Sequence, residues 1–514
     1  MGRSRYAVLT AMIFAVAMMS IDQTIVSIAA PTIQRDLRLT STGLQCVINS
    51  YLLALAALFA LGGKLGDVLG HRRVVLIGTV GFALASVLCG ATPTGGAAQA
   101  WLIVSRLLQG AFGALLFPAA LAIVFNAFAA GERGKALALF FGISGALTSI
   151  GPIAGSFLLP WTWRAIFFIN VPVALIALYL TWRARPADTR RPTPIDVRGA
   201  ILVSGGMSLT VLALQQSANW GWGSVATWVC LAAGLVLLAV FVRFELRVPS
   251  PLIDVRIFSH SGFTADNVVM GLAYACFLPL FFFASVYAQV VLGYTAGKTG
   301  LYILVIFIGF AAATQVGGRM LDRRGARQAA VLGGALGAVG FYLWAEHLHD
   351  TLGTQWPWII LAAAGIGFVL TPVTTDAVNR APRGSYGEVT GVTQTVRYFA
   401  ASLSLAVLGS VLIHQTRSHA TASLAQLHVP AATAAKIVAS INTGVGTAPP
   451  PHDVRSLAFV AIQGDFADAV RIVYLAMAGI MAVASLVAVR RMERGIPVEV
   501  TAARESEMPV ATAS

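Results

Sequence analysis

The sequence predicts an all-α integral membrane protein with fourteen transmembrane helices, and three observations support this prediction. First, 57% of the 514 residues are hydrophobic and only 11% are charged, whereas a soluble domain carries about 25% charged residues. Second, the apolar residues form runs of about 20, the length that crosses a bilayer as a helix. Third, one short motif occurs once in each half of the chain, which indicates two related helical bundles and the architecture of a transporter.

The predicted spans divide as 6 + 2 + 6. They lie near residues 7–30, 44–62, 74–91, 101–125, 136–158, 165–182, 200–216, 224–242, 263–288, 300–317, 329–346, 357–378, 389–413 and 468–489. We predict four regions, namely an N-terminal six-helix bundle (1–182), linkers with two inserted helices (183–262), a C-terminal six-helix bundle (263–490) and a cytoplasmic tail (491–514). A long outer loop, 414–467, separates the last two spans, and we give it no catalytic role.

The positions of the 35 Lys and Arg residues explain the net charge of +14. Most of them fall on one side of the membrane if the N-terminus is cytoplasmic, which is the distribution that orients membrane proteins. We therefore expect both termini in the cytoplasm, contact with anionic lipids of the inner leaflet, and no nucleic-acid partner, because the basic residues are scattered over loops.

Several classes of active site have no support in the sequence. The four cysteines lack the spacing of metal ligands, so we predict no metal site. The sequence has no Walker motif and no sizeable soluble region, so an ion gradient rather than ATP would drive uphill transport. We therefore expect a membrane protein that is not an enzyme, with no catalytic residues and no cofactor.

The repeated motif is G-x-x-x-D-x-x-G-x-R, and each copy is predicted to form a short charged loop on the cytoplasmic side. The residues of interest are Gly63, Asp67, Gly70, Arg72 and Arg73 in the first copy, and Asp322 and Arg327 in the second. Because the motif is duplicated at matching positions, we interpret it as an inner latch that closes one conformation and opens in another. A simple turn with cytoplasmic positive charge is the alternative.

Two charged residues lie inside predicted spans and need an explanation. Asp22 is the only carboxylate well inside a span, and Arg106 is a cation early in another span. Such a charge costs at least about 2.5 kcal/mol and needs a partner. We predict that these residues pair and that Asp22 carries a proton; a permanent structural ion pair is the alternative.

Asp266 and Asp376 lie near the inner ends of spans. A position at the membrane surface is the simpler interpretation for both residues, and a second proton site at Asp376 is the alternative.

The fifth span and several polar residues give further candidates. Gly151, Pro152 and Gly155 lie in the fifth span, and we interpret them as a hinge or seal between the halves, because proline removes a backbone hydrogen bond and glycine permits close packing. Ordinary packing of small residues is the alternative. Candidates to line a substrate cavity are Gln23, Asn49, Gln109, Gln289 and Arg397.

Over roughly residues 7–413 the chain resembles the major facilitator superfamily, and within it the fourteen-helix drug:proton antiporter family. The similar segments are the motif at 63–73, Asp22 with Thr24 and Pro31, and residues 106–110, which resemble the family's fourth-helix motif associated with proton coupling. Residues 151–155 resemble the exporters' fifth-helix motif, and residues 163–172 and 251–258 are also similar to the fourteen-helix group. The resemblance implies a major facilitator fold of two pseudo-symmetric six-helix bundles.

The resemblance also implies a function. It suggests alternating access, in which a monomer in a bacterial plasma membrane exports antibiotics or other amphipathic small molecules in exchange for protons, with no cofactor. Spans 9–14 carry no central carboxylate, which favours neutral, zwitterionic, anionic or lipophilic cargo. A lipid or glycolipid transporter of the same fold is one alternative, and a membrane sensor that transports nothing is another. The expected partners are the substrate, protons and membrane lipids.

Overall fold

The computed structural model describes residues 5–128, 132–148, 150–187, 194–380, 386–427 and 454–495, and the regular elements within these ranges are helices. The α-helices are α1 (Arg5–Asp36), α2 (Ser41–Leu69), α3 (His71–Gly90), α4 (Ala98–Ala127), α5 (Arg133–Thr148), α6 (Ile150–Leu158), α7 (Ala165–Phe168), α8 (Asn170–Ala184), α9 (Val197–Trp220), α10 (Val225–Glu245), α11 (Ser261–Val290), α12 (Ala296–Arg324), α13 (Ala326–Glu346), α14 (Leu352–Asn379), α15 (Tyr386–Gln426) and α16 (Val454–Arg491). A short 3-10 helix, Val255–Ser259, precedes α11.

Within the described residues, 14 helical segments are long and apolar enough to cross a membrane, which confirms the predicted fold class and the number of spans. The helices α5 and α6 together supply the fifth span, Leu139–Leu158, and α7 and α8 supply the sixth, Ala165–Ala184. In α10, with a mean hydropathy of 2.6, only 17% of the most apolar window is buried inside the protein. A helix that exposes apolar residues on most of its circumference is suited to contact with lipid.

The helices α9 and α10 pack against each other as a pair. A side chain on Gly206 of α9 would collide with Leu238 of α10, and a side chain on Gly234 of α10 would collide with Thr210 of α9. The missing side chains therefore let the two backbones approach closely, as small residues do in membrane helix pairs. Because α9 also contacts α2 and α15, the pair lies against both halves of the molecule.

The two halves meet at the ends that we predict to face outward. A side chain on Gly300, near the start of α12, would lie 2.8 Å from Ser156 Cβ of α6. Gln289 of α11 donates a hydrogen bond of 3.1 Å to the carbonyl oxygen of Ile28 in α1. These contacts close the outer ends of the halves against each other in this structure.

The repeated motif does not form the loop that the sequence predicts. Residues 63–69 belong to α2 and α3 begins at His71, so Gly70 alone separates the two helices. Gly325 separates α12 from α13 in the same way. Gly70 has a φ of +97° and Gly325 a φ of +82°, angles that glycine adopts at no steric cost. One glycine in this conformation turns the chain, so the remaining motif residues stay helical.

The predicted outer loop, 414–467, is also shorter than expected, because α15 continues to Gln426 and α16 begins at Val454. The extensions are held together where Ser423 donates a hydrogen bond of 2.8 Å to Asp465 Oδ1. Hydropathy marks where a helix leaves the apolar layer, whereas hydrogen bonds decide where the helix ends. Residues 428–453 of the predicted loop lie outside the described residues.

Candidate functional site

Asp22 of α1 and Arg106 of α4 lie together in the interior of the N-terminal half. Arg106 Nη1 donates a hydrogen bond of 2.5 Å to Asp22 Oδ2. Asp22 is 0% exposed and Arg106 is 1% exposed, so neither charge is in contact with solvent or lipid. The structure thus brings together the two residues that the sequence predicts to pair.

Gln109 closes a ring of hydrogen bonds around the ion pair. Its Nε2 donates to Asp22 Oδ1 at 2.9 Å, and its Oε1 accepts from Arg106 Nη1 at 2.7 Å. Arg106 also lies over the ring of Tyr51, with Cζ 4.2 Å from the ring centroid, a favourable cation–π position. Each oxygen of Asp22 therefore has a donor. Gln109, a cavity candidate from the sequence, is fully buried beside the ion pair.

Two buried polar residues that the sequence did not single out connect this ring to neighbouring helices. Gln109 Nε2 also donates to Ser86 Oγ of α3 at 3.3 Å, and Asn170 Nδ2 of α8 donates to the same oxygen at 2.9 Å. Ser86 itself donates to the carbonyl oxygen of Phe167 in α7 at 2.8 Å. In the sequence each is a polar residue within an apolar run, a feature that many packing residues share. Asn170 also lies in the segment 163–172 that resembles the family, although the resemblance gave this residue no role of its own.

Gly151 allows α6 to pack against the part of α1 that carries Asp22. A side chain on Gly151 would place its Cβ 2.1 Å from Thr24 Oγ1 and 2.7 Å from the carbonyl oxygen of Ile21. Thr24 also donates a hydrogen bond of 2.7 Å to the carbonyl oxygen of Thr148 at the end of α5. The fifth span is therefore fitted directly against the residues that flank Asp22.

The fifth span also reaches the C-terminal half. Gly155 faces Ile25 of α1, because a Cβ there would lie 3.2 Å from Ile25 Cγ1. A Cβ on Gly300 of α12 would lie 3.1 Å from the carbonyl oxygen of Pro152. The helix α6 thus lies between α1 and α12, and the three residues predicted as a hinge lie at this junction of the halves.

Two further cavity candidates form polar contacts between the halves. Gln23 Nε2 of α1 donates to the hydroxyl of Tyr398 in α15 at 2.6 Å. Ser402 Oγ of α15 donates to Asn49 Oδ1 of α2 at 2.5 Å. Together with the bond from Gln289 to α1, these contacts place three of the five cavity candidates at the boundary between the halves.

Arg397 of α15 is a half-buried cation among aromatic residues. Its Cζ lies 4.1 Å from the ring centroid of Tyr274 in α11, and its Nη2 donates to the Tyr274 hydroxyl. Its Nη1 donates to Gln394 Oε1 at 2.6 Å, and its Nε is buried without a partner. Of the ion pairs between described residues, none includes Arg397. Its positive charge therefore has no carboxylate partner among the residues that the structure describes.

The two copies of the repeated motif make contacts within their own halves. In the first copy Asp67 Oδ1 lies 3.4 Å from His71 Nε2, while Arg73 is exposed. In the second copy Asp322 is exposed, and Arg327 Nη2 donates to the carbonyl oxygen of Val489 in α16 at 2.5 Å. These bonds join neighbouring helices at the ends that we predict to face the cytoplasm.

An acidic cluster lies at the predicted inner end of the second half. Asp266 of α11 and Asp376 of α14 are each 1% exposed, so protein covers both carboxylates near the ends of their spans. Arg380 Nε lies 2.8 Å from Asp376 Oδ2 and 3.9 Å from Asp266 Oδ2, and Arg380 also pairs with Glu493. Three carboxylates share one guanidinium. The Asp376–Arg380 pair has the i,i+4 spacing of neighbours along one chain segment, whereas Asp266 and Glu493 come from distant parts of the chain, so sequence spacing did not reveal the whole cluster.

Comparison with known proteins agrees with this architecture. Residues 12–405 match the family model described as Major Facilitator Superfamily. The chain is 35% identical over 408 residues to the tetracenomycin C resistance and export protein of Streptomyces glaucescens, covering 79% of this chain and 75% of the relative. It is 34% identical over 410 residues to the puromycin resistance protein pur8 of Streptomyces alboniger, covering 78% and 80%. It is 29% identical over 509 residues to the multidrug resistance protein Stp of Mycobacterium tuberculosis, covering 96% and 94%.

Solved structures show the same fold at low sequence identity. A bacterial homolog of the human lysosomal transporter Spinster superposes with a TM-score of 0.61 at 14% identity, covering 96% of this chain and 99% of that chain. A D-xylose-proton symporter also superposes with a TM-score of 0.61, at 11% identity, covering 95% and 98%. Because the family model matches most of the chain and the fold agrees, the chain belongs to the Major Facilitator Superfamily of membrane transporters.

Proposed function

We propose that this chain is a proton-coupled antiporter that exports amphipathic, drug-like small molecules across the cytoplasmic membrane, with both termini in the cytoplasm. The observation that carries the proton coupling is the buried Asp22–Arg106 pair, closed by Gln109. Ionisable residues inside a membrane protein are costly, and they commonly mark ion or proton pathways. Asp22 is the proton carrier in this proposal.

Protonation of Asp22 would change the balance of forces around Arg106. With Asp22 neutral, Arg106 has no counter-charge at this site, and its other contacts, with the amide oxygen of Gln109 and the ring of Tyr51, supply none. A buried cation that loses its partner costs about 3–5 kcal/mol. A change of about 5.5 kcal/mol moves a two-state equilibrium from 1:99 to 99:1. One proton at this position can therefore shift the balance between two conformations of the N-terminal half.

Contacts on both sides of the fifth span connect the surroundings of Asp22 to the boundary between the halves. Gly151 of α6 touches the residues of α1 on either side of Asp22, and Pro152 faces Gly300 of α12 at the closed outer end. A shift of α1 against α4 would therefore move α6 against α12. Packed interfaces of this kind switch between discrete arrangements rather than deform gradually. When the outer end opens, the turns at Gly70 and Gly325 would act as the inner latch.

Two observations indicate the class of cargo: the names of the relatives and the positive charge of Arg397 at the boundary between the halves. The names of three relatives describe resistance to, or export of, antibiotics or multiple drugs. The half-buried charge of Arg397 has no carboxylate partner among the described residues. It lies beside Tyr398, which stacks on Phe59 of the other half with ring centroids 5.2 Å apart. The positive charge repels cationic compounds, and the aromatic rings can stack on aromatic compounds, so this site favours neutral or anionic aromatic cargo.

Transport assays in proteoliposomes with an imposed pH gradient test this function. The compounds would include tetracenomycin C and puromycin, and the matched variants are Asp22→Asn and Asp468→Asn, which removes an exposed carboxylate. We expect gradient-driven transport in the wild type and in Asp468→Asn, and none in Asp22→Asn. Transport that survives both Asp22→Asn and collapse of the gradient contradicts proton coupling. Movement of labelled lipid without any movement of the compounds would instead support a lipid transporter.

A further inference from the structure

A groove of about 670 Å³ lies at the predicted inner end of the second half, between α12, α13 and the chain that follows α16. Its rim is basic and its wall is apolar. The basic residues are Arg324, Arg327 and Arg494, and the apolar residues are Met320, Val331, Leu332, Ala335 and Val489. None of these residues belongs to the ion pair or to the boundary between the halves.

Two close contacts build the groove. A Cβ on Gly325 would lie 2.3 Å from the carbonyl oxygen of Gly495, so the turn between α12 and α13 packs directly against the chain after α16. The hydrogen bond from Arg327 of α13 to the carbonyl oxygen of Val489, near the end of α16, is a second contact between these parts of the chain. The groove is thus part of the packed fold, and Arg327 is committed to holding its wall.

Within the described part of the chain, the basic residues at the rim of the groove have no acidic partner. Arg324 and Arg494 are exposed, and no ion pair between described residues includes either of them. The lining contains no Asp or Glu. The apolar wall is open to the surroundings, since Leu332 is 40% exposed and Val489 is 44% exposed. The groove therefore offers a site for an anion next to a site for a hydrocarbon chain.

We propose that this groove binds an anionic phospholipid of the inner leaflet, with its phosphate between Arg324 and Arg494 and an acyl chain along Leu332 and Val489. Guanidinium groups bind phosphate through paired hydrogen bonds, and basic pockets between helices on the cytoplasmic side suit anionic headgroups. A zwitterionic lipid would bring an ammonium group for which the lining has no acid. Free phosphate shares the headgroup chemistry but makes no use of the apolar wall.

Native mass spectrometry of the purified full chain in detergent tests the site, using titrations with phosphatidylglycerol, phosphatidylcholine and inorganic phosphate. We expect phosphatidylglycerol to bind about tenfold or more tightly than phosphatidylcholine, and inorganic phosphate not to bind at millimolar concentration. The variant Arg324→Ala/Arg494→Ala should bind phosphatidylglycerol about thirtyfold more weakly, since each basic residue near the headgroup contributes a factor of about five. Arg327 stays intact in this variant because it holds the wall.

The matched control is Arg243→Ala/Arg247→Ala, which removes the same charge from exposed positions at the inner end of α10. This control should bind phosphatidylglycerol as the wild type does. An equal loss in the control and the groove variant would overturn the proposal, as would equal affinity of the wild type for phosphatidylglycerol and phosphatidylcholine. If inorganic phosphate bound as tightly as the lipid, the groove would be a simple anion site and the proposal of a lipid site would be overturned. The wild-type comparisons need no variant, so equal affinity for the two lipids overturns the proposal even where a variant does not fold.

Discussion

Removal of either Asp22 or Arg106 alone should destabilise the protein far more than removal of both. The ion pair is sealed from water and lipid, with a hydrogen bond of 2.5 Å between the two side chains. Asp22→Asn leaves the guanidinium without a counter-charge, and Arg106→Met leaves the carboxylate without one. Loss of one partner of a buried pair costs about 3–5 kcal/mol, whereas replacement of both is often nearly neutral. We therefore expect a coupling energy of at least about 3 kcal/mol in the double-mutant cycle.

Unfolding of the four proteins in mixed micelles with increasing denaturing detergent measures this coupling. The control cycle uses Arg471 and Glu346, whose side chains lie 2.8 Å apart but are partly exposed. Such a pair contributes about 0–1 kcal/mol, so its cycle should show little coupling. If the effects of Asp22→Asn and Arg106→Met were additive, the coupling energy would be as small as that of the exposed pair. This result would refute the conclusion that a buried charge pair holds α1 to α4.

Three further variants test other parts of the structure. Gly151→Ala should cost about 1–3 kcal/mol in unfolding free energy and reduce transport, because its Cβ would overlap α1. The control Gly142→Ala, whose new Cβ would have no atom of the described residues within 4 Å, should leave transport unchanged and raise the unfolding free energy by about 0.5–1 kcal/mol, because alanine favours a helix over glycine. Gly70→Ala should cost about 1–3 kcal/mol in the same unfolding assay, because φ of +97° strains any residue with a side chain. Arg380→Met should lower the melting temperature more than Arg243→Met, because it leaves three clustered carboxylates without their shared cation.

Residue chemistry was sufficient to predict the main elements of the fold and the site. The number of spans follows from run length, because every backbone group in the hydrocarbon must be bonded within a helix or a closed barrel. The contact between Asp22 and Arg106 follows from the cost of an isolated charge in the membrane. The glycines of the repeated motif indicated a tight turn correctly, although they turn the chain in one residue rather than in a loop.

Other features depend on contacts between distant parts of the chain. Ser86 and Asn170 gain their role from facing Gln109, and a polar residue in an apolar run does not indicate which neighbour it faces. Asp266 and Asp376 are buried because other parts of the protein cover the predicted inner ends of α11 and α14. Hydropathy shows how near a residue is to a span end, but it does not show whether that end is covered by protein or exposed to water.

Proton release on substrate binding is the most direct test of the central role of Asp22. The purified protein in weakly buffered detergent solution, with a pH indicator, would receive a compound that the wild type has been shown to transport. We predict that binding displaces a proton from the wild type, and that Asp22→Asn binds the same compound without releasing one. Equal proton release by the wild type and Asp22→Asn would contradict the account, because the proton would then come from another group.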